Sequence, residues 1–159
     1  MLITVAAIGR LKAGHERELF DHFLARATAP GKTIGLTFTE REFPESRAGS
    51  SGIRGTQEAA ALLTAVPAGA MLVALDESGT SMTSNAFADR LGKWRYDGTA
   101  GVVFAIGGAD GHGPALIAKA GLRLAFGAMT WPHRLVRVML AEQLYRAVTI
   151  LSGHPYHRA

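Results

Sequence analysis

GVVFAIGGADG, residues 101–111, is the stretch on which the fold turns. Its first six residues are apolar without polar alternation, the pattern of a strand covered on both faces. Two glycines follow at once. AMLVAL, residues 70–75, repeats the pattern, and Asp76, Glu77, Ser78 and Gly79 then read as a turn. Further out, residues 2–8 form a third apolar run and residues 122–126 a fourth. Residues 34–42 set Ile34, Leu36 and Phe38 against Gly35, Thr37 and Thr39, the alternation of a half-exposed strand. Helical patterns fill the gaps. Leu19, Phe20, Phe23 and Leu24 predict a helix over residues 15–27, stopped by Pro30 and Gly31. A helix over residues 56–66 takes Thr56 as N-cap. Another, capped by Thr83 or Ser84, carries Phe87, Leu91 and Trp94 and ends at Asp97-Gly98. Residues 114–120 form a short helix. Residues 132–151 form a long one, with a proline in its first turn and Gly153 at its end. Strands alternating with helices predict an α/β domain over residues 1–159, its sheet mainly parallel with helices on both faces.

In such sheets ligands bind beyond the carboxyl ends of the strands. Three loops meet that condition: residues 75–79, 107–111 and 127–133. A fourth irregular stretch, residues 44–55, is rich in Gly, Ser and Arg. It reads as a mobile loop whose Arg47 and Arg54 are free to meet phosphate.

Composition narrows the chemistry. The 159 residues contain no cysteine, which excludes disulfide frameworks, zinc ribbons and thiol nucleophiles. It also agrees with a cytoplasmic location. No apolar run approaches the roughly 20 residues of a membrane span. The apolar N-terminus lacks the basic flank of a signal peptide. Lys and Arg outnumber Asp and Glu by 17 to 13. After Ala120 the bias is strong, with Arg123, Arg134, Arg137, Arg146 and Arg158 against Glu142 alone. A basic end of this kind favours a phosphate-rich partner.

Three segments carry candidate chemistry. IGGADG, residues 106–111, lacks the lysine of a phosphate-binding P-loop and the spacing of a dinucleotide fingerprint. It is a cofactor loop or a tight strand-to-helix turn. TWPHRLVRVMLAEQLYRA, residues 130–147, places His133 and Arg137 four apart on one helix face, and Glu142 and Arg146 likewise. So little of its circumference is polar that it is either deeply buried or packed on a partner chain. HPYHR, residues 154–158, is a decorated tail or a site. Its two imidazoles, phenol and guanidinium suit a nucleotide: Tyr156 to stack, Arg158 to pair with phosphate, His154 or His157 to relay a proton. His154 and His157 lack a nearby third ligand, so no metal site is expected.

With LDESG (residues 75–79), these segments, in this order and at this distance from the C-terminus, resemble the ribosomal RNA large subunit methyltransferase H family of the SPOUT superfamily. The likeness runs through the whole chain, including AIGRLK near the N-terminus. The chain departs from the family pattern at Ala109, where proline is usual, and at Asp110, where glutamate is frequent. Trp131 replaces a smaller apolar residue, and the Gly/Ser-rich stretch around Gly49 is atypical.

The resemblance implies a SPOUT-type parallel sheet with a C-terminal trefoil knot, a topology that general folding rules would not supply. It implies a homodimer and a bound S-adenosyl-L-methionine. The cofactor would lie against Leu75, Gly108, Ala128, Met129, Thr130, Trp131, Pro132 and His133, largely through backbone amides and carbonyls. The implied activity is N3-methylation of a pseudouridine in helix 69 of 23S rRNA within the assembled 70S ribosome, with no role for DNA or membrane. His154, Tyr156, His157 and Arg158 are the candidate catalytic residues for orienting the base and handling its imide proton. The rival expectations are an RNA- or ribosome-binding module that transfers no methyl group, and an unrelated α/β enzyme whose IGGADG cradles phosphate.

Overall fold

The computed structural model describes residues 1–153 and residue 156. In chain order the elements are β1 (Leu2–Ile8), α1 (His15–Thr33), β2 (Thr37–Phe43), α2 (Ser51–Leu63), β3 (Met71–Ser81), α3 (Ser84–Tyr96), β4 (Gly101–Ile106), α4 (Pro114–Lys119), β5 (Leu122–Ala125) and α5 (His133–Leu151). The sheet runs β2-β1-β4-β3-β5, and every pairing in it is parallel. β4, the strand of GVVFAI, is central and buried along its whole length.

Side-chain alternation along the strands sorts the helices between the two faces. Ile3, Val5 and Ala7 of β1, Val73 and Leu75 of β3, and Val102, Phe104 and Ile106 of β4 point to one side. There they pack with Phe20 of α1, Phe87 and Leu91 of α3, and Leu140, Leu144 and Val148 of α5. The intervening residues Ala6, Ile8, Leu72, Ala74, Val103 and Ala105 meet Ala59 and Leu62 of α2 and Leu116 of α4 on the other. Each fully buried Leu, Ile or Phe contributes about 1.5–3 kcal/mol, so both faces are held by ordinary apolar burial.

Four boundaries differ from the sequence expectation, each for a local reason. Pro30 does not stop α1. It stands near the end of the helix, where it removes one amide bond without ending the helix, and the stop comes at Gly35 with φ +72°. The Ile34 and Leu36 amides both donate to the Gly31 carbonyl there, at 3.1 and 2.8 Å. β2 therefore begins at Thr37 rather than Ile34. α2 begins at Ser51, with Ser50 as N-cap accepting from the Ile53 amide at 3.3 Å. Thr56 lies inside that helix and donates to the Gly52 carbonyl at 2.9 Å. α2 and the start of α4 meet backbone to backbone: a Cβ on Gly113, the N-cap of α4, would overlap the Gly55 carbonyl. Finally, residues 76–79 are not a turn. β3 continues to Ser81, and its register with β5 shifts, Leu75 and Thr80 both standing opposite Leu124. A Cβ on Gly79 would come within 2.7 Å of the Arg123 carbonyl oxygen, which fixes glycine at this bulge.

Candidate functional site

Beyond the carboxyl ends of β3, β4 and β5 lies a cavity of about 790 Å³. Its walls are residues 75–77, 106–112, 124–127, 129–133 and Val136, so the three loops singled out from sequence converge on one space. Leu75, Gly108, Met129, Thr130, Trp131, Pro132 and His133 all line it, whereas Ala128 is not among the lining residues.

The β4 loop is shaped from behind. A Cβ on Gly107 would stand 2.7 Å from the Gly111 carbonyl oxygen, and one on Gly108 2.8 Å from Glu58 Oε2 and 3.2 Å from Ile8 Cγ2. Gly111 takes φ +74°. IGGADG is a tight turn, and that turn forms one wall of the cavity. α2 grips it from outside. Arg54 Nε and Nη2 donate to Asp110 Oδ2 and Oδ1 at 2.6 and 3.0 Å, and Arg54 Nη1 donates to the Ala48 carbonyl. The Arg54 charge foreseen for phosphate is committed to the protein's own loop. The Arg54 hydrogen bonds hold the Asp110 carboxyl below its usual pKa.

Polar groups are few and placed. Asp76 Oδ1 accepts from the Ser78 amide and hydroxyl at 2.8 and 2.6 Å, and these bonds lower its pKa. Thr130 Oγ1 donates to Glu77 Oε2 at 2.6 Å, linking the β5–α5 loop to the β3 bulge. Trp131 Nε1 donates to the Phe126 carbonyl at 3.1 Å, which holds the indole at the cavity's rim. His112 Nε2 lies 3.0 Å from the Leu75 carbonyl, while its Nδ1 is buried without a partner. Burial depresses the pKa of His112 and, more moderately, of His133, where the nearby Arg137 charge acts in the same direction.

Arg137, four residues beyond His133, is 1% exposed. Nη2 donates to the carbonyls of Ile8 and Gly9, both at 2.6 Å, and Nη1 to Glu42 Oε1 at 2.8 Å. Glu42 also accepts from Arg17 and from the Leu11 amide. The seat of α5 is thus an ion network at the carboxyl ends of β1 and β2. Its sequence signal was the spacing that puts Arg137 on one helix face with His133.

At the other end of α5, Glu142 accepts from Arg146 Nε and Nη2 at 2.9 and 2.6 Å, the pairing their spacing predicted. Tyr156 folds back on this pair. Its hydroxyl donates to Glu142 Oε1 at 3.3 Å, its ring centroid is 4.5 Å from that of Tyr145, and Arg26 and Arg146 lie over it. Tyr156 is not among the residues that line the cavity. Burial and Glu142 raise its phenol pKa, so it is a hydrogen-bond donor and not a base at neutral pH. His154, His157 and Arg158 lie outside the described residues. No group of three His, Cys, Asp or Glu among the described residues is placed to hold a metal ion.

A loop-walled cavity at the carboxyl end of a parallel sheet defines a small-molecule-binding α/β protein, and comparison narrows it further. The chain belongs to the SPOUT methyltransferase family, whose description, "Predicted SPOUT methyltransferase", matches residues 1–157. Within that class it groups with proteins named ribosomal RNA large subunit methyltransferase H. That of Nitrobacter hamburgensis is 56% identical over 159 residues, covering 99% of each chain. That of Rhodopseudomonas palustris is 53% identical over 160 residues, covering all of both. Among solved structures, a probable methylase family protein from Haemophilus influenzae shares the fold, with a TM-score of 0.54 and 13% identity over 99% of this chain and 70% of that one.

The chain is a methyltransferase. The cavity's volume falls within the ordinary range for small-molecule sites, and Asp76 and Glu77 in its wall suit a cationic ligand. Ala109 and Trp131 both line it.

Proposed function

We propose that this cavity holds S-adenosylmethionine and that the chain methylates N3 of a pseudouridine in helix 69 of 23S rRNA, in the assembled ribosome. The observation that carries the reading is the convergence of residues 75–77, 106–112 and 129–133, three segments far apart in sequence, on one space. The cofactor, when bound, supplies the methyl group on its sulfonium carbon; the protein supplies alignment. Leu75, Gly108 and residues 128–133 are the proposed cofactor-binding set, acting mainly through backbone groups. His154, Tyr156, His157 and Arg158 are proposed to orient the base. The imide proton must leave N3 for transfer to occur. Tyr156, a neutral phenol, serves as donor rather than as acceptor of that proton.

The protein is proposed to work as a homodimer in the cytoplasm, as one domain with the family's knotted C-terminus. Leu135 on α5 is a large apolar residue left 40% exposed, which supports a partner surface on that helix. Recognition of the ribosome rather than of free RNA suits a chain this small, and the basic C-terminal region suits phosphate.

The test is incubation with labelled S-adenosylmethionine and ribosomes lacking the modification, followed by mass spectrometry of the rRNA. Methyl on the helix-69 pseudouridine is the expected result. Cofactor binding with no transfer to ribosomes or free rRNA would keep the fold and move the search to another RNA, whereas no cofactor binding would favour an RNA-binding module of the same fold.

A further inference from the structure

His112 stands in the cavity wall but has no place in the cofactor-binding set above. It belongs to the β4 loop, one residue past Gly111, and its ring reaches across to β3. The Leu75 carbonyl it meets at 3.0 Å is an acceptor only, so Nε2 carries the hydrogen and donates it. This bond joins the carboxyl ends of two neighbouring strands at a sensitive point. Leu75 is the last residue of β3 in regular register with β5; immediately after it the ladder shifts by the bulge of residues 76–79. The carbonyl at the bulge's edge gains a fixed direction from the imidazole.

We infer that His112 is a positioning residue for the cofactor: by donating Nε2–H to the Leu75 carbonyl, it locks the β3 edge of the cavity in the shape that takes the adenosyl group. The inference rests on the proposed cofactor site. Three further observations carry it. A carbonyl oxygen has two lone pairs, so the bond to His112 leaves Leu75 one acceptor position for a ligand donor. The ring itself is packed in place: a Cβ on Gly107 would come within 3.3 Å of Nδ1, so glycine there makes room for the imidazole. And the ring is buried between the ends of two strands, with Nε2 on the Leu75 carbonyl and the Ala105 backbone as its other polar neighbour. A buried imidazole held by backbone at a ligand cavity carries a desolvation cost that an apolar side chain would not, which marks it as kept for its hydrogen bonds.

The test compares His112→Leu and His112→Gln with the wild type. Leu keeps the bulk and removes the donor. Gln carries an N–H at a similar reach. Binding is measured by calorimetry with two probes, S-adenosylmethionine and S-adenosylhomocysteine, and kcat is read at saturating cofactor. Loss of one net hydrogen bond predicts a Kd raised about 5- to 10-fold in H112L. The loss should be equal for both probes, because they share the adenosyl half and differ at the sulfur. The kcat should stay within about twofold, and H112Q should recover most of the affinity. Unchanged affinity in H112L, an equal loss in H112Q, a loss confined to the sulfonium probe, or a fall in kcat alone would each overturn the inference. A wild type that binds neither probe would sink the site and this inference together, whereas a binding wild type with an unaffected H112L sinks only the inference.

Discussion

At the residue scale, two histidines in the cavity wall make stability depend on pH. Burial lowers the folded-state pKa of both His112 and His133 from the ordinary 6.5. The unfolded chain therefore binds protons first as pH falls, and stability rises with pH across this window. Asp76 and the Leu75 carbonyl oppose the shift at His112; Glu45 opposes it at His133, where Arg137 and Arg134 reinforce it. The expected outcome is a thermal midpoint that drops between about pH 7 and pH 5, with a shallower drop in His112→Leu. Identical pH slopes in that variant and the wild type would remove His112 from the effect. Gly108 yields a second prediction. Its missing Cβ would sit 2.8 Å from Glu58 Oε2, and the carboxylate cannot readily retreat, because its other oxygen accepts from the Ser46 amide at 2.9 Å and the residue is buried. Gly108→Ala should displace the loop toward the cavity at a cost of about 1–3 kcal/mol. Calorimetry should show weakened cofactor binding; affinity equal to wild type would mean the loop absorbs the methyl group without moving.

At the scale of elements, capping and tail give separable outcomes. Ser50 caps α2, the helix that grips the β4 loop through Arg54 and Asp110. Ser50→Ala should cost about 1 kcal/mol. For a chain of this size that lowers the thermal midpoint by roughly 2–4 °C. A midpoint within 1 °C of wild type would mean the cap is replaced by water. Truncation after Gly153 acts elsewhere. Among the described residues the cavity's walls come from residues 75–136, and Tyr156 rests on Tyr145 and Glu142. The truncated chain should keep cofactor affinity and lose methyl transfer; undiminished turnover would take the tail out of the mechanism. The elements themselves were largely legible. Apolar runs without alternation marked β1, β3 and β4, because both sheet faces are covered. The misses lay where tertiary contacts overrule local signals. The start of α2 looked like loop because of its glycines, and the close approach of Gly113 to Gly55 that favours the helix there comes from some sixty positions away. LDESG looked like a turn because a bulge on an edge pairing uses the same residue types.

Across the whole molecule, chain order and space are joined by a single side chain. Arg137 of the last helix donates to the carbonyls of Ile8 and Gly9, at the end of the first strand, and to Glu42 at the end of the second. Sequence showed that His133 and Arg137 share a face. It could not show that the face looks down on the ends of β1 and β2, since helix periodicity says nothing about what lies opposite. Nor could periodicity supply a knotted path, which only the family resemblance implied. The network makes Arg137 a test of how α5 is seated. A buried cation balanced by Glu42 adds little by itself, yet removing it leaves Glu42 with less compensation and two carbonyls without donors. Arg137→Met fills much the same volume, so packing loss is small and the cost is mainly electrostatic, about 3–5 kcal/mol. The thermal midpoint should fall by roughly 10 °C or more. Glu42→Gln alone leaves Arg137 its two carbonyls and should cost less, and the double variant should cost less than the sum of the two, because each single change strands the other's charge. Strictly additive losses would mean that Arg137 is held by the β1 carbonyls alone. A midpoint for Arg137→Met within 2 °C of wild type would mean that apolar packing seats the helix without the ion network.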